Sequence, residues 1–413
     1  MKEIITPIQS KGHPLAILKK GREQSLSRYH LWIFSRAIAR VTPEPQEGDL
    51  VDVVDSKGKF LATGSWEGGN IAIRVLSFDT PIVDEKEFFE NKIRAALRLR
   101  QKLHLPFSET DSKAPNNIYR LVYGEGDGLS GLIVDIYGHT AVIQAHSMGI
   151  FRRISLIKEV LLECQELELQ AIYDKSSSTL QKEISEFYSD GYLYGDAIRE
   201  PLYERGLRFL TDIEKGQKTG FFIDQRDNRE LVEKYANGRN VLNCFCYTGG
   251  FSAYAIRGGA CSVDSLDSSA RALDVAKEVI ALNFPELEEH RHQVVNADAF
   301  DYLNNLQGGE YDLIVLDPPA FAKRKDNVRN ACNGYRKLNA LALKKIRSGG
   351  FLFTFSCSQL VSPYDFRMAV LTASVEAKRQ VRILRPLFQA PCHPVNIFHP
   401  ETEYLKGLLL YVE

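Results

Sequence analysis

The amino-acid sequence predicts a multidomain α/β protein: a small N-terminal β-barrel, a central α+β domain and a C-terminal domain with a mostly parallel, seven-stranded sheet. Three observations support this prediction. The chain has 413 residues, which is too many for one ordinary domain. Short strand-like segments fill the first 80 residues, and strands alternate with helices from about residue 205. We place the domains at residues 1–80, 81–204 and 205–413.

The composition is that of an ordinary globular protein, with 44% hydrophobic and 25% charged residues. A formal net charge of −1 gives no global sign of nucleic-acid binding, so a basic surface would have to be local. No apolar run approaches the roughly 18 to 20 residues that a membrane helix needs. The opening MKEIITPIQSKGHPL lacks the apolar stretch of a signal peptide. We therefore expect a cytoplasmic location.

Seven cysteines are spread along the chain. Because their number is odd and the chain is long enough to build its own core, we expect no disulfide framework. Cys244 and Cys246 lack a cluster of His or Cys partners at zinc-ligand spacing, so we expect no metal site.

The N-terminal barrel is predicted from three short strands, at residues 49–54, 59–62 and 70–76, separated by the turn sequences SKG and EGG. The preceding stretch, residues 11–40, is basic and contains one acid, Glu23. The basic and aromatic side chains of this stretch are suited to contact phosphates and to stack on bases. A solvated face around a small core would explain the same pattern equally well. These side chains are Lys11, Lys19, Lys20, Arg22, Arg28, Arg36 and Arg40, with Tyr29, His30, Trp32 and Phe34.

The central domain begins after Thr80-Pro81. Apolar residues at helical spacing (Phe88, Ile93 and Leu97) predict an amphipathic helix over residues 84–105. Strand-like segments at residues 118–123, 131–137 and 140–145 follow, with the loop GEGDGLS between the first two. A helix over residues 151–163 and a short strand at 171–173 complete an α+β domain.

In the C-terminal domain, we predict strands at residues 240–245, 260–266, 292–296, 312–317, 350–356, 380–384 and 405–412. Helical patterns lie at residues 226–235, 251–257, 270–282, 335–346 and 363–377. This alternation implies βαβ units and helices on both faces of the sheet. Ligands of such sheets bind beyond the carboxyl ends of the strands, so the residues after each strand are the functional candidates.

The first three strand ends carry groups that suit a nucleoside. The first strand runs into NCFCYTGGF, where a glycine pair lets the backbone approach a ligand at a helix N-terminus; the pattern is not GxGxxG, which disfavours a dinucleotide. Asp267, preferred over the nearby Asp264, is placed to bind ribose hydroxyls or to cap a helix. Asp298 is placed to hold an adenine amino group beside Phe300, or to cap a helix.

The fourth and fifth strand ends carry groups that suit a reaction. In LIVLDPPAF the two prolines must end the strand, and they fix where Asp317 points. Asp317 is thereby placed to hold a planar, nitrogen-bearing substrate. In GGFLFTFSCSQL, Cys357 reaches the same rim as a candidate nucleophile, although most lone cysteines are inert core residues. Its thiol would need activation.

The segment KGQKTGFFIDQRDN, residues 215–228, precedes the first strand. The pattern of Gly220, two aromatic residues and a polar group is typical of a lid over a ligand. Asp224 and Gln225 then begin a helix. Composition alone supports only a turn followed by a capped helix.

These motifs together resemble a known family. NCFCYTGGF, Asp267, ADAF, LDPPAF and TFSCSQL resemble the successive motifs of class I S-adenosylmethionine-dependent methyltransferases, which have a Rossmann-like fold. KTGFFIDQRDNR, GEGDGLSGLIVD and HPETEYLKGLLLYV resemble the bacterial large-subunit (23S) rRNA cytosine-C5 methyltransferases that contain a PUA domain. The opening KGREQSLSRYHLWIFSRAI is similar to that RNA-binding barrel, and the resemblance covers nearly the whole chain.

The resemblance implies S-adenosylmethionine as cofactor and RNA, most narrowly 23S rRNA, as partner. The first strand end would line the methionine moiety, Asp267 would hold the ribose, and Asp298 with Phe300 would frame the adenine. The implied cofactor residues are Phe221, Asp224, Gln225, Arg226, Asn243, Phe245, Tyr247, Thr248, Gly249, Asp267, Asp298, Phe300, Asp317 and Pro318. The implied RNA contacts are Lys19, Lys20, Arg22, Arg28 and Trp32.

Cys357 and Asp317 are the implied catalytic residues. Some RNA cytosine-C5 methyltransferases have a second cysteine after the Asp-Pro, but this chain reads Pro319-Ala320-Phe321 there, so Cys357 is the one candidate nucleophile and the group that resolves its adduct stays open. Three alternatives remain: a uracil-C5 methyltransferase, an exocyclic-amine methyltransferase, and a non-catalytic RNA-binding factor of ribosome assembly. The oligomeric state also stays open, with a homodimer as one option.

Overall fold

A computed structural model describes residues 12–78, 80–106, 115–181, 186–322 and 325–413. Its N-terminal part is a six-stranded sheet in the order β2-β6-β5-β4-β1-β3. β1 and β4 pair in parallel, and the other neighbours are antiparallel. The strands are β1 (Leu15–Leu18), β2 (Trp32–Phe34), β3 (Ile38–Thr42), β4 (Leu50–Val54), β5 (Phe60–Trp66) and β6 (Ile71–Ser77).

The central part is a five-stranded sheet in the order β11-β10-β9-β8-β7, with three helices. Asp84 caps the first helix by accepting a hydrogen bond from the backbone N–H of Glu87 at 3.1 Å. The elements are α1 (Glu85–Lys102), β7 (Ile118–Tyr123), β8 (Leu132–Tyr137), β9 (Thr140–Ala145), α2 (Met148–Phe151), α3 (Ile154–Glu163), β10 (Ala171–Asp174) and β11 (Gly191–Tyr194).

The helix predicted over residues 151–163 is present as α3, but it begins at Ile154, and a separate short helix, α2, ends at Phe151. Arg153 stands between them, and its guanidinium donates to the backbone oxygens of Gly48 and Gly149 and to Glu85. These contacts reach the turn before β4 and the start of α1, which the local sequence pattern does not reveal.

A short hairpin, β12 (Leu202–Glu204) and β13 (Leu207–Phe209), leads into the C-terminal part. This hairpin was not predicted from the sequence. Both strands have three residues, which is too short for an alternating pattern to be recognised.

The C-terminal part is a seven-stranded sheet in the order β16-β15-β14-β17-β18-β20-β19. β14 to β18 are parallel to one another, and β20 is antiparallel to both of its neighbours. The strands are β14 (Asn240–Cys244), β15 (Ser262–Asp267), β16 (His292–Asn296), β17 (Leu313–Leu316), β18 (Gly350–Ser356), β19 (Val381–Phe388) and β20 (Lys406–Val412).

Helices cover both faces of this sheet, and the predicted fold class is confirmed. They are α4 (Arg226–Ala236), α5 (Gly250–Arg257), α6 (Ala270–Asn283), α7 (Ala299–Asn305), α8 (Val328–Lys345) and α9 (Pro363–Ala377). Short 3₁₀ turns at Ile223–Gln225 and Pro400–Thr402 matter for the sites described below. α7 and the first turns of α8 were not predicted from the sequence. No described helix is both long and apolar enough to span a membrane.

Two buried apolar clusters flank the seven-stranded sheet. Val241, Val263 and Val315 belong to the cluster on one face, whereas Leu242, Ile314 and Leu352 belong to the cluster on the other. This alternation follows from the two-residue period of a strand. It fixes the register, so that the carboxyl ends of β14 to β18 meet along one edge.

Candidate active site

A cavity of about 400 Å³ opens at this edge of the sheet. It is lined by acidic, aromatic and small polar side chains, and it brings together residues that are far apart in the sequence. The predicted site residues in its wall are Phe221, Asp224, Gln225, Phe245, Tyr247, Thr248, Asp267, Asp298, Phe300, Asp317, Pro318 and Cys357.

Three predicted cofactor residues, Asn243, Gly249 and Arg226, do not line the cavity. The amide of Asn243 donates to the hydroxyl of Ser252 at 2.9 Å, behind the strand end. Gly249 has a φ of 79° and packs against Ala276 as it starts α5. The Arg226 guanidinium is buried and donates to the backbone oxygen of Ile118 at 3.0 Å. The side chains of Asn243 and Arg226 thus make their contacts outside the cavity.

The loop between β14 and α5 is unusually bent. Phe245, Tyr247 and Gly249 have φ values of 59°, 49° and 79°, and the left-handed region is unfavourable for the two aromatic residues. Surrounding hydrogen bonds hold this conformation, including one from the backbone N–H of Tyr247 to Asp267 at 2.9 Å. The buried hydroxyl of Thr248 has no hydrogen-bond partner within the described ranges. Strained backbone with an unsatisfied hydroxyl is typical of a ligand-binding loop.

The acids at the second and third strand ends have distinct contacts. Asp267 accepts hydrogen bonds from the backbone N–H groups of Tyr247 and Ser269, both at 2.9 Å, so it braces two loops while Ser269 caps α6. Asp264, the competing candidate, accepts from the Tyr311 hydroxyl and does not line the cavity. Asp298 both caps α7 and lines the cavity.

The loop of residues 212–222, here called the lid loop, lines the cavity with Gln217, Lys218, Phe221 and Phe222. The backbone N–H of Gln217 donates to the Tyr247 hydroxyl at 3.1 Å, and the Phe222 ring meets the Tyr247 ring edge-on at 5.2 Å. The Lys218 ammonium lies 4.4 Å from the Phe222 ring centre and 2.8 Å from the Asp224 carboxylate. Lys218 and Phe222 were not among the site residues predicted from the sequence. The only indication of their role was that both lie in the segment KTGFF.

Two carboxylates lie on the floor beneath the lid loop, with opposite pKa shifts. Burial alone raises the pKa of Asp224, but the charge of Lys218 and hydrogen bonds from Lys218 and Tyr404 outweigh it and hold that pKa below its usual range. Burial, reinforced by the negative charge of Asp224, raises the pKa of Asp317 to about 7. Gln225 donates to Asp317 at 3.0 Å.

Cys357 follows β18 and is half-buried, with its thiol 3.7 Å from the backbone oxygen of Pro318. Burial and the charge of Asp317 raise the pKa of the thiol to about 11, and the charge of Lys218 opposes them. The buried Lys406 ammonium donates to the backbone oxygens of Ser358 and Val361 at 2.7 and 2.8 Å, which holds the loop that carries Cys357.

Four predicted RNA contacts, Lys19, Lys20, Arg22 and Arg28, are exposed on the N-terminal domain; Lys11 lies outside the described residues. Trp32 differs, because its indole N–H donates to Glu125 at 2.8 Å and its ring packs against His399 with centroids 4.4 Å apart. Trp32 therefore makes contacts between parts of the chain, and its role in RNA binding stays a prediction. Tyr29 and Phe34, 50% and 41% exposed, are the open aromatic residues of this segment.

Two family models match the chain. A model of S-adenosylmethionine-dependent methyltransferases matches residues 180–378, and a model of PUA-like domains matches residues 16–78. A Streptococcus mutans structure described as a SAM-dependent methyltransferase has a TM-score of 0.79 at 23% identity, covering 96% of this chain and 99% of that one. A methyltransferase solved in complex with SAH has a TM-score of 0.80 at 22% identity, with the same coverage.

Curated relatives match over nearly their whole length. A protein of Erwinia tasmaniensis named Ribosomal RNA large subunit methyltransferase I is 40% identical over 400 residues, covering 95% of this chain and 97% of that protein. A protein of the same name from Aeromonas hydrophila is 40% identical over 403 residues, covering 95% and 98%. A third, from Shewanella denitrificans, is 38% identical and covers 96% and 98%.

The fold and the cavity at its strand ends define an S-adenosylmethionine-dependent methyltransferase joined to a PUA-like domain. The predicted cofactor, S-adenosylmethionine, is thereby confirmed. Within this class, the chain belongs to the family of the ribosomal RNA large subunit methyltransferases I.

Proposed function

We propose that the protein transfers a methyl group from S-adenosylmethionine to C5 of a cytosine in large-subunit (23S) rRNA, through a covalent bond between Cys357 and C6 of the base. The observation that carries the proposal is the presence of Cys357 and Asp317 in one cavity wall, at the ends of the neighbouring strands β18 and β17. The names of the relatives and the PUA-like domain support RNA as the substrate class.

The cavity fits the cofactor. Its volume of about 400 Å³ lies in the usual range for small-molecule sites. Two buried oxygens, Oγ1 of Thr248 and Oδ1 of Asp224, have no hydrogen-bond partner in the described part of the chain and suit the donors and acceptors of an amino-acid moiety. Asp267 would bind the ribose, and Asp298 with Phe300 would flank the adenine. When bound, S-adenosylmethionine supplies an electrophilic methyl group on a positively charged sulfur.

Cytosine C5 is a weak nucleophile, and Cys357 would overcome this. When the thiolate adds to C6, the Sγ–C6 bond forms and the electron pair of the C5–C6 double bond moves onto C5 and, through C4, onto N3. The addition makes C5 nucleophilic. Loss of the C5 proton after transfer restores the double bond and expels the thiolate. The target base must leave its stack to reach the cavity.

Asp317 is suited to recognise the cytosine edge. Because its pKa is about 7, a substantial fraction of Asp317 is protonated at neutral pH and can donate a hydrogen bond to N3. Such a bond stabilises the charge that arrives at N3 when the thiolate adds to C6. The carbonyl oxygen of the same group can accept from the N4 amino group, which distinguishes cytosine from uracil.

The test is to incubate the purified protein with S-adenosylmethionine and unmodified large-subunit rRNA, then digest the RNA and identify methylated nucleosides by mass spectrometry. We expect 5-methylcytidine, and none with the Cys357→Ala variant. 5-Methyluridine or an N-methylated base would overturn the proposed product. A protein that neither methylates the RNA nor binds S-adenosylmethionine would be a non-catalytic RNA-binding factor.

A further inference from the structure

A second polar cluster lies outside the active-site cavity, where the N-terminal domain meets the segment between β19 and β20. It consists of His30, between β1 and β2, with His399 and Glu401, and one ligand atom of each lies within 4.8 Å of the others. Nε2 of His30 is 3.3 Å from Oε2 of Glu401, and Nε2 of His399 is 3.8 Å from the same oxygen. The imidazole centroids are 4.5 Å apart.

His399 is the unusual member of this cluster. It is 0% exposed, and neither ring nitrogen has a hydrogen-bond partner among the residues that the structure describes. Buried polar groups in native proteins nearly always have a partner, so an imidazole with two unsatisfied nitrogens needs an explanation. One nitrogen faces the Glu401 carboxylate at a distance too long for a hydrogen bond.

The two separations from the Glu401 carboxylate to the imidazoles are close to those around a bound metal ion. In a tetrahedral Zn²⁺ site with bonds of about 2.0–2.1 Å, neighbouring ligand atoms lie about 3.3–3.4 Å apart. The distances of 3.3 and 3.8 Å are close to this value, and an ion between the groups would satisfy a nitrogen of His399. Nδ1 of His30 lies 3.2 Å from both the backbone oxygen and the backbone nitrogen of Trp32, and metal-bound histidines usually donate their second nitrogen to such an oxygen.

We propose that His30, His399 and Glu401 form a Zn²⁺ site that fastens the PUA-like domain to the methyltransferase domain. Two imidazoles and a carboxylate, without sulfur, are a ligand set that zinc accepts, and the partly exposed Glu401 leaves a fourth position for water. The ligands are up to 371 residues apart in the sequence, which is why spacing rules led to the expectation of no metal site.

The position of this site gives it a defined role. On the N-terminal side, His30 lies beside Trp32, whose ring packs against His399. On the other side, the chain runs from Glu401 to Tyr404, whose hydroxyl donates to Asp224 in the active site. Zn²⁺ at the junction would therefore fix the orientation of the RNA-binding domain relative to the catalytic cavity.

The test is a calorimetric titration of the chelator-treated, full-length protein with ZnCl₂. We expect one Zn²⁺ per chain, with affinity lowered at least tenfold in His30→Ala and in Glu401→Gln. His290→Ala is the matched control, because His290 pairs with Glu288 at 3.5 Å on the surface, and it should bind Zn²⁺ like the parent. Equal affinity in the parent and both ligand variants, or no binding by the parent, would overturn the proposal.

Two further measurements distinguish the site from accidental binding. The backbone oxygen of Glu401 accepts a hydrogen bond from Gln359 at 2.8 Å, and Glu401→Gln does not remove this bond. The variant should therefore fold even if a substitution of His399 does not. Co²⁺ in place of Zn²⁺ should give the visible absorption of a four-coordinate site in the parent and none in Glu401→Gln. Binding that persists in Glu401→Gln but is lost in Cys261→Ser, which removes an exposed thiol, would contradict the proposal.

Discussion

At the scale of single residues, the active site depends on three ionisable groups whose pKa values are coupled: Cys357, Asp317 and Asp224. The positive charge of Lys218 lowers the pKa of all three groups. The high pKa of the thiol means that Cys357 is almost entirely protonated in the free protein at neutral pH. Cys357 therefore becomes a nucleophile only when a base removes that proton. Added positive charge near the thiol would favour this step by lowering the pKa of the thiol.

The influence of Lys218 on the thiol can be measured by alkylation. We predict that the rate at which iodoacetamide modifies Cys357 rises about tenfold per pH unit from pH 7 to 9, as expected for a group with a pKa of about 11. Lys218→Met should slow this reaction about two- to fivefold by removing the nearby charge. Lys215→Met, an exposed residue of the same lid loop, should not. Peptide mass spectrometry would measure the rates, and equal rates in all three proteins would contradict the prediction.

Asp317 makes stability depend on pH. Its folded-state pKa of about 7 exceeds the unfolded value near 4, so its contribution to stability is fully present below about pH 4 and is lost as pH rises through 7. Asp317→Asn removes this loss. We therefore predict that the variant melts about 2–6 °C above the parent at pH 8 and by a smaller margin at pH 5.5.

Thermal unfolding at the two pH values would check this prediction. Asp274→Asn, on the exposed side of α6, is the control and should show no such pH dependence. A melting temperature of Asp317→Asn that changes with pH in parallel with that of the parent would show that Asp317 does not titrate near neutrality.

The sequence identified the acids at the strand ends and Cys357 because the position of each follows from a strand that precedes it. It did not identify Lys218, because nothing in KTGFF tells which side chain turns towards the cavity. It also did not reveal the contact of Trp32 with Glu125, which lies 93 residues further along the chain.

At the scale of elements, the lid loop depends on a close backbone approach. A Cβ atom on Gly216 would lie 2.2 Å from the backbone oxygen of Asp212, so the loop must shift to accept a side chain. We predict that Gly216→Ala raises the KM for S-adenosylmethionine about tenfold, because the contacts of Gln217 and Phe222 with Tyr247 loosen.

Methylation kinetics at varied cofactor concentration would measure this effect. Gly191→Ala is the matched control, because a Cβ atom there meets nothing within 4 Å, and its KM should equal that of the parent. An unchanged KM in Gly216→Ala would show that the lid loop does not contribute to cofactor binding.

Elements with a clear period were predicted from the sequence, and those set by distant contacts were not. β16, β18 and α9 have the predicted bounds. α7 has only seven residues and follows a capping Asp298, so its apolar period is too short to detect. Arg153 lies at the break between α2 and α3, and its partners Gly48 and Glu85 belong to other parts of the chain.

At the scale of the whole molecule, Glu125 of the central domain joins the N-terminal sheet to the rest of the protein. Its carboxylate accepts from Arg74 at 2.6 Å, from Trp32 at 2.8 Å and from Ser130 at 2.7 Å, and it is largely buried. We predict that Glu125→Gln costs about 2–4 kcal/mol of unfolding free energy, because it leaves the Arg74 guanidinium without its counter-charge.

Denaturant unfolding would measure this cost. Glu163→Gln removes the exposed pair with Lys86 and should change the unfolding free energy by no more than about 0.5 kcal/mol. Equal effects of the two substitutions would show that the contact between the domains contributes little to stability.

The order of the domains was predicted from the sequence, but the way they meet was not. Ion pairs such as Arg152–Asp49 and Arg74–Glu125 join residues of different domains that no local pattern connects. The placement of the exposed basic side chains of the N-terminal domain relative to the catalytic cavity therefore depends on contacts between the domains.

The most direct test of the central claim is covalent trapping. Large-subunit rRNA that contains 5-fluorocytidine has no C5 proton to lose, so an adduct between Cys357 and C6 should accumulate in the presence of S-adenosylmethionine. We predict an RNA–protein species that survives denaturing electrophoresis, maps to Cys357, is absent in Cys357→Ala and persists in Cys261→Ser. The absence of this species from an otherwise active protein, or an adduct on another residue, would contradict the mechanism.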